Sequence, residues 1–197
     1  MHQSVNSLLL IRPSNFGFNT QTASSNTFQK QLLRPNANEI VRVELENVIN
    51  TLSKENISTI VIDDITKDQT PDAIFPNNWV SFHENGTVVI YPMEAPNRRR
   101  ERRMEVIEKV SEWKNTKNSS ILDLTRFEKS GEFLEGTGSV VFDHLNKIGY
   151  AALSSRTHRG PFDELLKSIG YEGITFHTRD HSAGIPPCGP PGRDPHV

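Results

Sequence analysis

Three short polar segments hold the residues best able to do chemistry. Pro71-Asp72-Ala73-Ile74-Phe75-Pro76-Asn77-Asn78-Trp79 sets a carboxylate and two adjacent amides ahead of an apolar run. Leu134-Glu135-Gly136-Thr137-Gly138-Ser139 sets one acid ahead of another such run, and Ser154-Ser155-Arg156-Thr157 follows a third. Each cluster falls at the mouth of a predicted strand, so the three can converge on a small polar substrate. A carboxylate at Glu135 can take a bidentate bond from a guanidinium, take a pair of bonds from a urea NH2, or orient a histidine. Gly136 and Gly138 would let backbone approach a ligand closely. The plainer reading of Glu135 is a surface acid at a turn. Arg156 offers a planar fork suited to a carboxylate, or is simply a solvated arginine. Asn77 and Asn78 each present a donor and an acceptor, which suits a neutral ureido group better than a cationic guanidinium; otherwise they form an ordinary turn pair. Asp72 could hold a substrate amine or cap a turn. Asp63 and Asp64, at another strand end, are weaker candidates of the same kind.

Other chemistries find less support. His83, His144, His158, His177 and His181 lack the paired spacing of a zinc site, so no metal is expected. Cys188 sits in Pro186-Pro187-Cys188-Gly189-Pro190-Pro191, with neither a base nor an ordered setting to activate a thiol. Gly136-Thr137-Gly138 lacks the residues that complete a phosphate loop, and no organic cofactor is expected. Arg98-Arg99-Arg100-Glu101-Arg102-Arg103 places five arginines in six positions. Glu94, Glu101, Glu105 and Glu108 surround them, so the run reads as a solvated, salt-bridged helical face. No aromatic residues interleave with it, which argues against single-stranded nucleic acid.

The elements that must position these residues are legible in the apolar pattern. The chain has 197 residues, 35% hydrophobic and 23% charged, with a formal charge of −2 and a pI near 6.4. That composition supports a globular chain, and its charge favours neither nucleic acid nor an anionic membrane. A single cysteine excludes an internal disulfide and fits a reducing, cytoplasmic setting. Leu8-Leu9-Leu10-Ile11 is too short for a signal segment or a membrane span and reads as a buried strand. Residues 14–37 read as loop, 38–55 as a helix with Ile40, Val43, Leu45, Val48, Ile49 and Leu52 at near-helical spacing, and 59–62 as a strand. A unit then appears twice. Residues 79–91 form a hairpin around Glu84-Asn85-Gly86, followed by a helix over 98–115 with Met104, Val106, Ile107, Val110 and Trp113 inward, and a strand over 121–124. The second copy is a hairpin over 139–153, a helix over 161–169 and a strand over 174–177. Val80-Ser81-Phe82-His83 aligns on Val140-Val141-Phe142-Asp143. Such recurrence predicts a repeat architecture of about three α/β modules, the first represented by its helix and flanking strands. From Ala183 to Val197 five of fifteen residues are proline and three are glycine, a composition expected to be disordered.

These motifs, together with Arg12-Pro13, Phe16-Gly17-Phe18-Asn19, Tyr91-Pro92-Met93 and His158, resemble the guanidine-modifying, or amidinotransferase, superfamily, and within it most nearly the citrulline hydrolase branch. Dimethylarginine hydrolases and arginine deiminases are related branches. The resemblance runs from about Leu8 to Asp180. It implies the pentein fold, a five-bladed α/β propeller, of which this chain would hold about three modules. The domain would span 1–180 and be incomplete, with 181–197 a Pro/Gly-rich tail of truncated or out-of-frame character. The implied chemistry is hydrolysis of a ureido or guanidino C–N bond in an amino acid such as citrulline or arginine. A cysteine attacks the carbon and a histidine moves protons. By position, Glu135 matches the family carboxylate and Arg156 the arginine that grips the substrate α-carboxylate. Asn77 and Asn78 stand where arginine-hydrolysing relatives carry acids. The nucleophile and general acid/base would lie beyond Asp180, where no motif matches, so the chain is expected to be inactive alone. It could also self-associate through uncovered module faces. The alternative is a non-catalytic module that binds an amino acid or uses the basic patch.

Overall fold

Short apolar runs bounded by turn residues form the strands. The computed structural model describes residues 3–23, 29, 36–66, 70–116 and 120–178. β1 (Ser7–Arg12) and β2 (Ser58–Asp63) pair in parallel, Leu9 against Ile60 and Ile11 against Ile62. A parallel pair needs a crossover, supplied by α1 (Ala37–Lys54). A short 3-10 turn, Pro76–Asn78, leads into β3 (Val80–Phe82), which pairs antiparallel with β4 (Thr87–Ile90). Gly86, at φ 83°, closes this hairpin by donating its N–H to the His83 carbonyl at 2.9 Å. Then follow α2 (Pro96–Arg99), α3 (Met104–Lys114) and β5 (Ser120–Asp123), which lies parallel to β4. The pattern returns with α4 (Gly136–Ser139), β6 (Val140–Asp143), β7 (Ile148–Ala152), α5 (Arg159–Ile169) and β8 (Glu172–Phe176). Both complete sheets have the order hairpin strand, central strand, parallel strand. The repeat read from sequence is the repeat that folds, and the β1–β2 sheet is its parallel half.

The helices act as wedges between sheets. Val106 and Ile107 of α3 share one core with Val80, Val88 and Ile90 of their own sheet and with Ile11 and Ile62 of the preceding one. Phe162, Leu165, Leu166 and Ile169 of α5 share a second core with Val140, Ala151, Val89 and Tyr91. Alternate residues of β4 therefore feed opposite cores, Val88 and Ile90 the first and Val89 the second, which is why its three apolar residues are all buried. On the third sheet Val141, Ile174 and Phe176 are exposed.

Three expectations change. The helix expected over 98–115 is interrupted between α2 and α3, because Pro96 starts a separate turn and Arg103 adopts an extended conformation. Met104 and Trp113, expected inward, are 50% and 36% exposed, and the buried stripe is Val106, Ile107 and Val110. In α1 only Leu45 is fully buried, while Val43 and Val48 face outward. His181, Cys188 and the tail over 181–197 lie outside the described residues. Among the described residues no helix is long and apolar enough to cross a membrane.

Candidate functional site

The loops ahead of β3 and β6 interlock. Gly136 adopts φ +46°, and a Cβ there would lie 2.1 Å from the Asn77 carbonyl oxygen. Only glycine permits that approach. Asn77 donates its Nδ2 to Thr137 Oγ1 at 2.8 Å, so its amide ties the two loops together on the exposed side. Asn78 turns the other way. Its Nδ2 donates to the Glu135 carbonyl at 3.4 Å, and its Oδ1 accepts from Arg98 Nη1 at 3.1 Å. Ser139 pins the third module's two loops. Its hydroxyl accepts the Glu135 N–H at 2.9 Å and donates to the Arg156 carbonyl at 3.0 Å.

Arg98 lies at the centre of this arrangement and is 4% exposed. Its Nε and Nη2 donate to the two carboxylate oxygens of Glu101 at 3.1 and 2.9 Å, a bidentate pair across i and i+3. Asp72 Oδ2 stands 3.7 Å from Nε, and Glu135 Oε2 stands 3.9 Å from Nη1. Arg156 Nη1 approaches the same Glu135 oxygen at 3.4 Å. Glu135 Oε1 accepts the Glu94 N–H at 3.2 Å. Asp72 accepts from Asn19 Nδ2 at 2.6 Å. Three of the five expected site residues, Asp72, Asn78 and Glu135, thus meet around one guanidinium, Arg156 joins them through Glu135, and Asn77 serves the loop junction.

The arginine run is salt-bridged, as expected, but it is not uniformly solvated: only Arg100 of the five is exposed. Arg98 is buried, Arg99 donates to the Met93 and Glu94 carbonyls, and Arg102 pairs with Glu128. A usable signal was present in the sequence: Arg98 and Glu101 are spaced for an i, i+3 pair just after the helix-starting Pro96.

Two arginines face three buried or half-buried acids, and the balance shows in the acids. Burial lifts Glu101 from its ordinary 4.5 to about 7, against the opposing pull of Arg98. Burial also raises Glu135, with Arg156 and then Arg98 pulling it down. An acid that holds its proton more tightly when folded stabilises the fold below its unfolded pKa and loses that contribution as pH rises through the folded value. The Glu101 contribution is therefore complete below about pH 4.5 and is lost by about pH 7. Urea unfolding at about pH 4.5 and about pH 8 should show a decline on the order of 2 kcal/mol that Glu101→Gln removes. Equal pH slopes in the two proteins would contradict this assignment.

The remaining candidates do other work. Asp63 pairs with Arg12 at 2.7 Å, and buried Asp64 accepts from Ser14, Thr66 and Thr70 hydroxyls, bracing loops. His83 Nε2 lies 2.8 Å from Ser81 Oγ, and burial lowers its pKa to about 4, with His144 adding to the effect. His144 pairs with the Tyr171 hydroxyl, His158 Nδ1 accepts the Phe133 N–H, and His177 is exposed beyond β8. Among the described residues no group of three His, Cys, Asp or Glu could hold a metal. A cavity of about 600 Å3 lined by Arg99, Asp123, Thr125, Arg126, Glu128 and Lys129 contains none of the clustered residues.

The sequence profile of the family described as N,N dimethylarginine dimethylhydrolase, eukaryotic, matches residues 12–185. No curated protein matches the chain in sequence. Among solved structures, the substrate-bound N-terminal domain of ArgZ, an arginine dihydrolase from the ornithine-ammonia cycle in cyanobacteria, superposes with a TM-score of 0.65. The identity is 15%, over 86% of this chain and 56% of that one. A mutant DDAH from Pseudomonas aeruginosa, complexed with citrulline, superposes with a TM-score of 0.59 at 16% identity, over 86% of this chain and 60% of that one. The chain thus spans less than two thirds of either structure, and at these identities the likeness carries the fold alone. The profile match over most of the chain and the shared α/β architecture agree: the chain belongs to the N,N dimethylarginine dimethylhydrolase family, within the pentein amidinotransferase superfamily.

Proposed function

We propose that the cluster around Arg98 binds a ureido or guanidino amino acid, as the recognition half of a hydrolase that cleaves the C–N bond of citrulline or arginine. The observation that carries this reading is the convergence of buried Glu135 with Asn78, Arg98 and Arg156. Glu135 accepts the N–H groups of the head group, Arg156 takes the α-carboxylate, and Asp72 lies near enough to Arg98 to set the local charge. In the covalent route a thiolate attacks the head-group carbon, ammonia or an amine departs with a proton, and water then releases the product. The residues gathered at the cluster would supply binding and orientation in that route.

Calorimetric titration tests the site. Citrulline or arginine should bind, and Glu135→Gln should weaken that binding by at least about tenfold, the effect of losing one charge-assisted bond. Asn78→Asp places a carboxylate 3.1 Å from Arg98 Nη1 and removes the amide donor, so preference should shift toward arginine by about tenfold. Absence of binding by both amino acids would overturn the reading. Ammonia release from citrulline separates hydrolase from binder.

A further inference from the structure

Two residues flank the site in mirror positions: Phe133 lies two before Glu135, and His158 lies two after Arg156. Their segments run antiparallel, with Leu134 bridged to Thr157 and the His158 N–H donated to the Phe133 carbonyl at 2.8 Å. A regular ladder would return the Phe133 N–H to the His158 carbonyl. His158 is, however, the N-cap of α5, and an N-cap carbonyl serves the first bond of its helix. The imidazole supplies the acceptor instead. Its Nδ1 takes the Phe133 N–H at 3.0 Å, and its ring packs edge-on against the Phe133 ring with 5.7 Å between centroids. The side chain makes no capping bond to its own helix. A backbone N–H can only donate, so Nδ1 is bare and the ring proton sits on Nε2.

We infer that His158 is a positioning residue: its neutral imidazole supplies the rung that sets the span between Glu135 and Arg156. The turn that carries Arg156 is closed by mutual backbone bonds between Ser154 and Thr157, and Thr157 Oγ1 donates to Ser139 Oγ at 2.8 Å. Those contacts shape the turn. The pair of bonds between Phe133 and His158 sets its register against the segment that carries Glu135. A ligand that engages two points at once gains fully from the second contact only where their separation is preset. Losing the rung leaves both side chains in the protein but lets the two segments splay, so the loss falls on ligands that span them. This inference rests on the amino-acid-binding reading proposed above.

Two variants divide what the ring contributes. His158→Phe keeps an aromatic ring against Phe133 and removes the acceptor, whereas His158→Asn removes the ring and keeps an acceptor at the same branch of the side chain. Calorimetric titration with arginine and citrulline is run well below each variant's melting midpoint. His158→Phe should bind both at least about tenfold more weakly than wild type, and His158→Asn should stay within about threefold of it. In isotope-labelled wild type, a scalar coupling should connect the Phe133 amide nitrogen to His158 Nδ1 through the hydrogen bond. A merely structural ring would lower the melting midpoint in both variants and leave the affinity of the folded protein unchanged. That result, His158→Asn as weak as His158→Phe, or absence of the coupling overturns the inference while leaving the amino-acid site standing. Should His158→Phe fail to fold, His158→Ala takes its place against His158→Asn, with the same outcomes. Failure of wild type to bind either amino acid removes the site and this role of His158 together.

Discussion

Replacing Arg98 with methionine should lower the unfolding free energy by about 3–5 kcal/mol, the effect expected when one partner is removed from a buried ion pair. Methionine fills much of the same space, so the loss comes from charge. Glu101 is 1% exposed at its side chain and, already lifted to about 7 beside Arg98, would either stay ionised without a counter-ion or take up a proton, while Glu135 would keep Arg156 as its one charged partner in the cluster. The magnitude measures uncompensated burial, and the net contribution of the intact pair is smaller. The double variant Arg98→Met with Glu101→Leu should therefore regain most of the loss. As a reference, Arg159→Ala breaks a pair whose side chains are 71% and 58% exposed, and should change stability by less than about 1 kcal/mol. Urea unfolding at neutral pH decides the matter. A loss below about 1 kcal/mol for Arg98→Met, or a double variant no better than the single, would show that water reaches the cluster and relieves it.

The fold was legible wherever local chemistry decides. Asn85-Gly86 marks a hairpin because glycine tolerates the positive φ that the turn adopts. The sixty-residue offset between Val80-Ser81-Phe82-His83 and Val140-Val141-Phe142-Asp143 marks two copies of one unit, and β3 and β6 occupy equivalent places. The site was legible at the level of which loops meet. Glu135, Asn78, Asp72 and Arg156 come together because each precedes or follows a strand on a repeated module. Depth was not legible. Charge patterning records sign and spacing, so it can suggest the Arg98–Glu101 pair, but nothing local shows that Asp72, Asn78 and Glu135 complete the enclosure. The two asparagines also read alike. Their division of labour depends on Gly136 and Gly138, which sit some sixty residues further along the chain and are brought close only by packing of one module on the next. Trp113 failed for a related reason: the buried stripe of α3 is Val106, Ile107 and Val110, and Trp113, in the helix's last turn, falls off it and is partly exposed.

That loop junction supplies the second large effect. Gly136→Ala should destabilise by about 3 kcal/mol, since a left-handed conformation and overpacking each typically cost 1–3 kcal/mol. The φ of +46° strains any L side chain, and the new methyl would meet Asn77 oxygen at 2.1 Å and Asn77 carbon at 3.1 Å. Both are backbone atoms of the neighbouring module's turn, so relief requires moving one loop away from the other. Gly138→Ala is the instructive contrast. Its Cβ would come within 2.5 Å of Asn78 Nδ2, the end of a side chain that can rotate. Its stability loss should stay near 1 kcal/mol, about the net contribution of one hydrogen bond. Rotation would nevertheless break the bond from Asn78 to the Glu135 carbonyl and loosen the amide from Arg98, so amino-acid binding should weaken even though the fold survives. Urea midpoints together with calorimetric titration separate the two variants. If Gly136→Ala proves as mild as Gly138→Ala in unfolding, the loops are not interlocked through backbone, and the convergence of Asn78 with Glu135 must be held by the charge cluster alone.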